Sequence, residues 1–136
     1  MTNDNKKKNI AAEVSRGDDS LRSARLLLNA SLLADAVSRA YYAAFHYARA
    51  LLLTAGEEPR THGGVDRLLQ RDFVREGTID AKTASLFARL QKFRAEADYT
   101  AEFVFTAETA AAELASAESF VTVARQLLVD GGWIAK

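Results

Sequence analysis

The chain has no cysteine and, in 136 residues, only one proline, one tryptophan, one methionine and two histidines. Without cysteine there is no disulfide framework and no thiolate zinc site, which fits a reducing compartment. A single proline, Pro59, leaves long stretches free of helix breakers. No run approaches the roughly 20 apolar residues that span a bilayer, so no membrane association is expected. The opening "MTNDNKKKNI" lacks the apolar stretch of a secretory leader, and a cytoplasmic protein is the expectation. An excess of one charge is missing too, since Lys+Arg and Asp+Glu are equal at 18 each. That balance argues against a sequence-independent nucleic-acid coat, whose affinity comes mostly from phosphate neutralisation, but leaves room for a local basic groove. Two histidines without clustered carboxylates give no metal-binding pattern, and no residue pattern calls for a cofactor.

What is present is a helical composition. Hydrophobic residues make up 49% and charged residues 26%, an ordinary globular balance. The length is that of one domain, and alanine and leucine dominate, both good helix formers. A first helix is expected over about 9–29, with Gly17 as its weak point, after a disordered tail at 1–8. The second, about 34–55, carries Val37, Tyr41, Phe45, Ala48 and Leu52 as one apolar stripe and stops at Gly56. "EEPRTHGG" reads as a loop, followed by a short third helix closed by Gly77. A fourth, capped by Thr78 or Asp80, presents Leu86, Leu90, Phe93 and Ala97, and a fifth covers about 106–129. The fold class is therefore all-α. The expected architecture is an antiparallel bundle of four to five helices over 9–130, with 131–136 as a C-terminal tail.

Three groups of residues can carry chemistry. In "SRAYYAAFHYARALL", Arg39, Tyr42, His46 and Arg49 share one helix face. This strip either holds a phosphate or stacks a base, or it is a polar seam against solvent or a second subunit. His46 and His62 are the only imidazoles available for proton transfer near neutral pH; His62, in "RTHGG", lies beside Arg60 and either contacts an anion or caps the third helix. The octet "KFRAEADY" places Asp98 four residues after Arg94, which on a helix is an intrahelical ion pair worth only about 0.3–0.5 kcal/mol when exposed. Arg94, however, borders an apolar stripe, where a guanidinium without a partner is expensive. Tyr99 points elsewhere unless the helix ends there, as the lost periodicity of "YTAEFVF" suggests.

The blocks "DAVSRAYYAAFHYARALL", "EPRTHGGVDRLLQRDFVREGTID" and "LQKFRAEADYTAEFVFT" together resemble the HEPN domain family, over about residues 10–130 and in the same order. They are most similar to its small stand-alone prokaryotic members with an R-x-x-A-D-Y signature. The resemblance implies a helical bundle that forms a homodimer, with the arginine motifs of two subunits meeting near a shared cleft. It also implies a toxin or defence role beside a minimal nucleotidyltransferase antitoxin, and in many members metal-independent RNA cleavage. The nuclease signature is an arginine, then four to six intervening residues, then a histidine. Arg94 matches the arginine, but Tyr99 stands where the histidine is expected and no histidine follows it. Tyrosine, with a pKa of about 10, is a poor base at neutral pH, though it can donate a hydrogen bond. The tyrosine that partners modify in some family toxins corresponds to Ala101 here, so that control does not carry over.

Two functional readings follow. In one, the chain is the RNA-directed or nucleotide-binding component of a toxin–antitoxin or defence pair, its usual base replaced by Tyr99. In the other it is an active metal-independent ribonuclease in which Arg94 works with Tyr99 or His46. A non-catalytic helical interaction dimer is the third alternative. Arg94, Tyr99 and His46 are the candidate catalytic residues, and Arg39, Tyr42, Arg49, Asp98 and His62 the candidate binding residues.

Overall fold

A computed structural model describes residues 2–102 and 104–136. The described residues form five α-helices, α1 (Asn3–Asn29), α2 (Leu33–Thr54), α3 (His62–Leu69), α4 (Ala81–Tyr99) and α5 (Ala107–Asp130), and no strand. The all-α bundle is thus the fold. None of these helices is long and apolar enough to cross a membrane.

Helix α2 is the central element, packed against α1 over its length and against α5 and α4 on other faces. Its sequence explains the position. Val37, Tyr41, Phe45, Ala48 and Leu52 are buried as the stripe predicts, and Ala40, Ala43, Ala44 and Ala50 are buried between them. Side chains this small let neighbouring helices approach, while Phe87 and Phe120 fill the space between α4 and α5 with ring centroids 5.3 Å apart. Each fully buried aromatic or leucine contributes about 1.5–3 kcal/mol of hydrophobic stabilisation.

The helix ends follow local chemistry. Gly56, at φ 79°, terminates α2, and the Glu57 N–H donates to the Leu52 carbonyl at 2.9 Å. Asp80 caps α4 by accepting the Thr83 N–H at 2.7 Å, and Thr106 caps α5 through a reciprocal pair with Thr109.

Four expectations need correction. Helix α1 begins at Asn3 rather than near Asn9, because Thr2 caps it by accepting the Asn5 N–H and Ile10 is fully buried a few turns on. Gly17 is no weak point: a Cβ there would stand 2.7 Å from a Tyr47 ring carbon, so its missing side chain is what brings α1 onto α2. The buried line of α4 is Ala84, Phe87, Leu90 and Arg94, while Phe93 and Ala97 pack into a second cluster with Val37, Phe105 and Ala110. Finally, the segment after α5 turns back, with Trp133 and Ile134 packed against the core.

Candidate functional site: a buried arginine beside an oriented histidine

The corrected register of α4 places Arg94 on its core line, only 7% exposed. Burying a guanidinium is costly unless partners replace water. Those available are incomplete. One terminal nitrogen lies 3.5 Å from Asp98 Oδ2, beyond a good hydrogen bond. The guanidinium carbon is 5.2 Å from the centre of the Tyr41 ring and 5.7 Å from that of Tyr99, so two aromatic rings supply cation–π contact. Nε is buried and has no hydrogen-bond partner among the described residues. A buried donor without an acceptor is uncommon in a native interior, and one on a cation suits an anion arriving from outside.

Tyr41 joins this arginine to His62. Fully buried on α2, it makes a 2.8 Å hydrogen bond between its hydroxyl and His62 Nδ1. The His62 ring is boxed by Phe45 at 4.8 Å, Tyr41 at 5.6 Å and Tyr42 at 6.0 Å between centroids. Burial pushes the His62 pKa down, and the Arg94 charge pushes it further, with Asp98 opposing. At neutral pH the imidazole is therefore held in its uncharged form. Burial likewise raises the Tyr41 hydroxyl well above its usual range, so it stays protonated.

His62 is not the loop residue that its sequence suggests. Thr61 is the N-cap of α3, accepting the Gly64 N–H at 2.9 Å, and His62 begins the helix. The two glycines after it occupy the first turn; a Cβ on Gly64 would stand 2.8 Å from Thr61 Oγ1. One turn further on, Asp66 lines a cavity of about 380 Å³ with Arg94, Gln91 and Lys92. Burial raises the Asp66 pKa, and its Oδ1 has no partner among the described residues.

Arg94, Asp98, Tyr99 and His62 thus come together. Helix α4 ends at Tyr99, which frees its ring to turn toward Arg94 while remaining 79% exposed. His46 and Arg49 lie at the seam between α1 and α2, where His46 Nδ1 is 2.8 Å from Glu13 Oε2 and Arg49 is 3.5 Å from Glu13 Oε1. Arg39 sits over the Tyr42 ring at 4.7 Å. Two members of the Arg94 site, Tyr41 and Asp66, escape the sequence reading. Tyr41 is masked by its place in the apolar stripe, whereas Asp66 carries a legible signal: it follows His62 at i+4 on the same helix. Among the described residues, no group of three or more His, Asp or Glu is placed to hold a metal ion.

Fold and site together define an all-α bundle with a buried arginine beside an oriented imidazole. Residues 12–127 match the HEPN domain family, and the chain belongs to that family. It is 35% identical over 130 residues to the protein named Putative toxin MJ0605 of Methanocaldococcus jannaschii, covering 96% of each chain. A second protein of that organism, Putative toxin MJ0142, is 27% identical, with 91% of this chain and 84% of the relative covered. A UPF0332 protein of Thermotoga maritima is 32% identical, covering 85% of this chain and 87% of the relative.

Proposed function

We propose that this chain is a toxin-type HEPN protein directed at RNA, and that it cleaves without a metal by using His62 in place of the histidine missing after Arg94. One observation carries the reading: a buried arginine with an unsatisfied Nε lies in the same aromatic pocket as an uncharged, hydrogen-bonded imidazole. In the tautomer whose Nδ1–H donates to the Tyr41 oxygen, Nε2 keeps its lone pair, the arrangement of an oriented general base. In the reaction Nε2 takes the proton of a ribose 2′-hydroxyl, the 2′-oxygen bonds to phosphorus, and the P–O5′ bond breaks. Arg94 stabilises the charge on the phosphorane oxygens, and the imidazolium or the Tyr99 hydroxyl returns a proton to the leaving oxygen. The toxin names of two relatives support a restrained, partner-controlled activity. The family resemblance gives that partner's class as a minimal nucleotidyltransferase.

The test is cleavage of RNA by the purified full chain with EDTA present. Arg94→Ala and His62→Ala are each expected to lower the rate by about 10²–10⁴-fold. The absence of a histidine after Arg94 favours one other reading, an RNA-binding component that does not cut. Tight RNA binding lost in Arg94→Ala, with no cleavage in any sample, would establish it.

A further inference from the structure

A second charged groove lies where α1 crosses α2. From α1 it is lined by Arg16, Ser20 and Ser23, which follow at i, i+4 and i+7; from α2 it is lined by Arg39, Tyr42 and His46, at i, i+3 and i+7. Its volume is about 470 Å³. Asp19 also lies on its rim but is occupied by the neighbouring Arg22.

The state of these groups distinguishes the groove from an ordinary solvated surface. Most arginines of this neutral chain are matched to carboxylates: Arg22 to Asp19, Arg25 to Glu118, Arg71 to Glu57, Arg89 to Glu113, Arg125 to Asp18. Among the described residues, Arg16, Arg39, Arg60, Arg67 and Arg75 have no carboxylate partner, and two of these five, Arg16 and Arg39, face this one groove. The hydroxyls of Ser20, Ser23 and Tyr42 likewise have no hydrogen-bond partner among the described residues. His46 is anchored through Nδ1 to Glu13, an acceptor-only carboxylate, which leaves Nε2 free. Arg39 lies over the face of Tyr42, which fixes its guanidinium plane at the groove wall.

The donors here outnumber the acceptors, and the cations are unneutralised. Such a set recognises phosphate, with the guanidiniums supplying charge and the hydroxyls supplying short hydrogen bonds. The groove adjoins the Arg94 site through one ring. Tyr42 is its wall, and the same ring packs against His62 at 6.0 Å and Tyr41 at 5.2 Å.

We infer that the α1–α2 groove is a second phosphate subsite, holding the backbone of a single RNA strand whose neighbouring phosphodiester reaches Arg94. The inference rests on the RNA-directed reading of the Arg94 site, but its test separates the two. A fluorescent single-stranded RNA oligonucleotide is titrated against the wild-type chain, Arg16→Ala/Arg39→Ala and Arg94→Ala, over a series of salt concentrations. Both groove arginines are exposed, so the double variant is expected to keep its fold, as far-ultraviolet circular dichroism will show.

Loss of two phosphate contacts reduces the slope of log K against log salt by about 0.7 per contact, and weakens binding about tenfold per cation at low salt. Unchanged affinity and slope in the double variant overturn the subsite, even where Arg94→Ala abolishes cleavage. A weakened, flatter salt dependence in the double variant supports it, even where Arg94→Ala turns out to be silent and the cleavage reading falls. A third arm uses 5′-AMP as the probe. Saturation of the groove by 5′-AMP as tightly as by the oligonucleotide overturns the strand assignment in favour of a mononucleotide site.

Discussion

At the scale of single residues, two titratable groups beside Arg94 are displaced in opposite directions by the same cause. Burial makes His62 less basic and Asp66 less acidic, because each then avoids a charge that water no longer solvates. The consequences are separable. A base works in its unprotonated form, and the His62 pKa lies below its usual 6.5. The cleavage rate should therefore rise with pH through a midpoint below 6.5 and be flat by pH 7. Tyr41→Phe, which removes the 2.8 Å hydrogen bond, should lower the rate without abolishing it by freeing the ring to rotate. A midpoint above 7 would point to a different base. Asp66 makes a stability prediction of the other sign. Its folded pKa is raised above the unfolded value, so the protonated carboxyl favours the fold below 3.8 and that contribution is lost as pH rises through the folded pKa. Asp66→Asn should thus stabilise the protein at pH 7 by about 0.5–1 kcal/mol, a figure kept small by the partial exposure of the site, and have little effect at pH 3. Thermal unfolding at the two pH values checks it.

The helices show which parts of the structure are legible in a sequence and which are not. Caps and stops were legible because they depend on a few adjacent residues: Gly56 ends α2 and Asp80 starts α4 where the local chemistry says they should. The stripe on α2 was legible because it is almost wholly apolar. On α4 the reading slipped, since a line ending in arginine looks like a surface, and only the rings of Tyr41 and Tyr99 make that line tolerable in the core. The pairing of Arg94 with His62 joins α4 to α3 through a residue of α2, a relation that no local spacing can carry. Gly17 is the plainest case of context reversing a propensity. Read as a helix position alone, Gly17→Ala should stabilise by about 1 kcal/mol. In the packed helix pair the new Cβ would lie 2.7 Å from the Tyr47 ring and 3.2 Å from the Ala43 carbonyl, so one of the two helices must move. The Tyr47 ring cannot easily give way, because its hydroxyl donates to Asp18 at 2.6 Å and accepts from Arg125 at 2.6 Å. We expect a net loss of about 1–2 kcal/mol, seen as a lower urea midpoint with an unchanged m value. A gain would return Gly17 to its reading as a simple weak point.

At the scale of the whole molecule, the question is whether one chain holds a complete site. Tyr99 is 79% exposed although its ring touches the most buried cation of the bundle, and Val104, just beyond it, is 82% exposed. Exposed apolar side chains beside a buried cation are what a second copy would cover. The family resemblance implies such a homodimer, with two arginine motifs meeting at one cleft. If so, Val104→Asp should convert a dimer to a monomer in sedimentation while leaving helix content unchanged. Subunit mixing then asks whether the dimer matters to the chemistry. Wild-type chain is allowed to exchange with a growing excess of Arg94→Ala, and cleavage is measured per wild-type subunit. Sites complete within one protomer give a constant value, because each wild-type chain keeps its own Arg94 and His62. A cleft that needs both arginines gives a value that falls in proportion to the wild-type fraction, because only wild-type pairs cut. The second outcome would also account for Nε of Arg94 having no partner among the described residues: its acceptor would be a phosphate held between two copies.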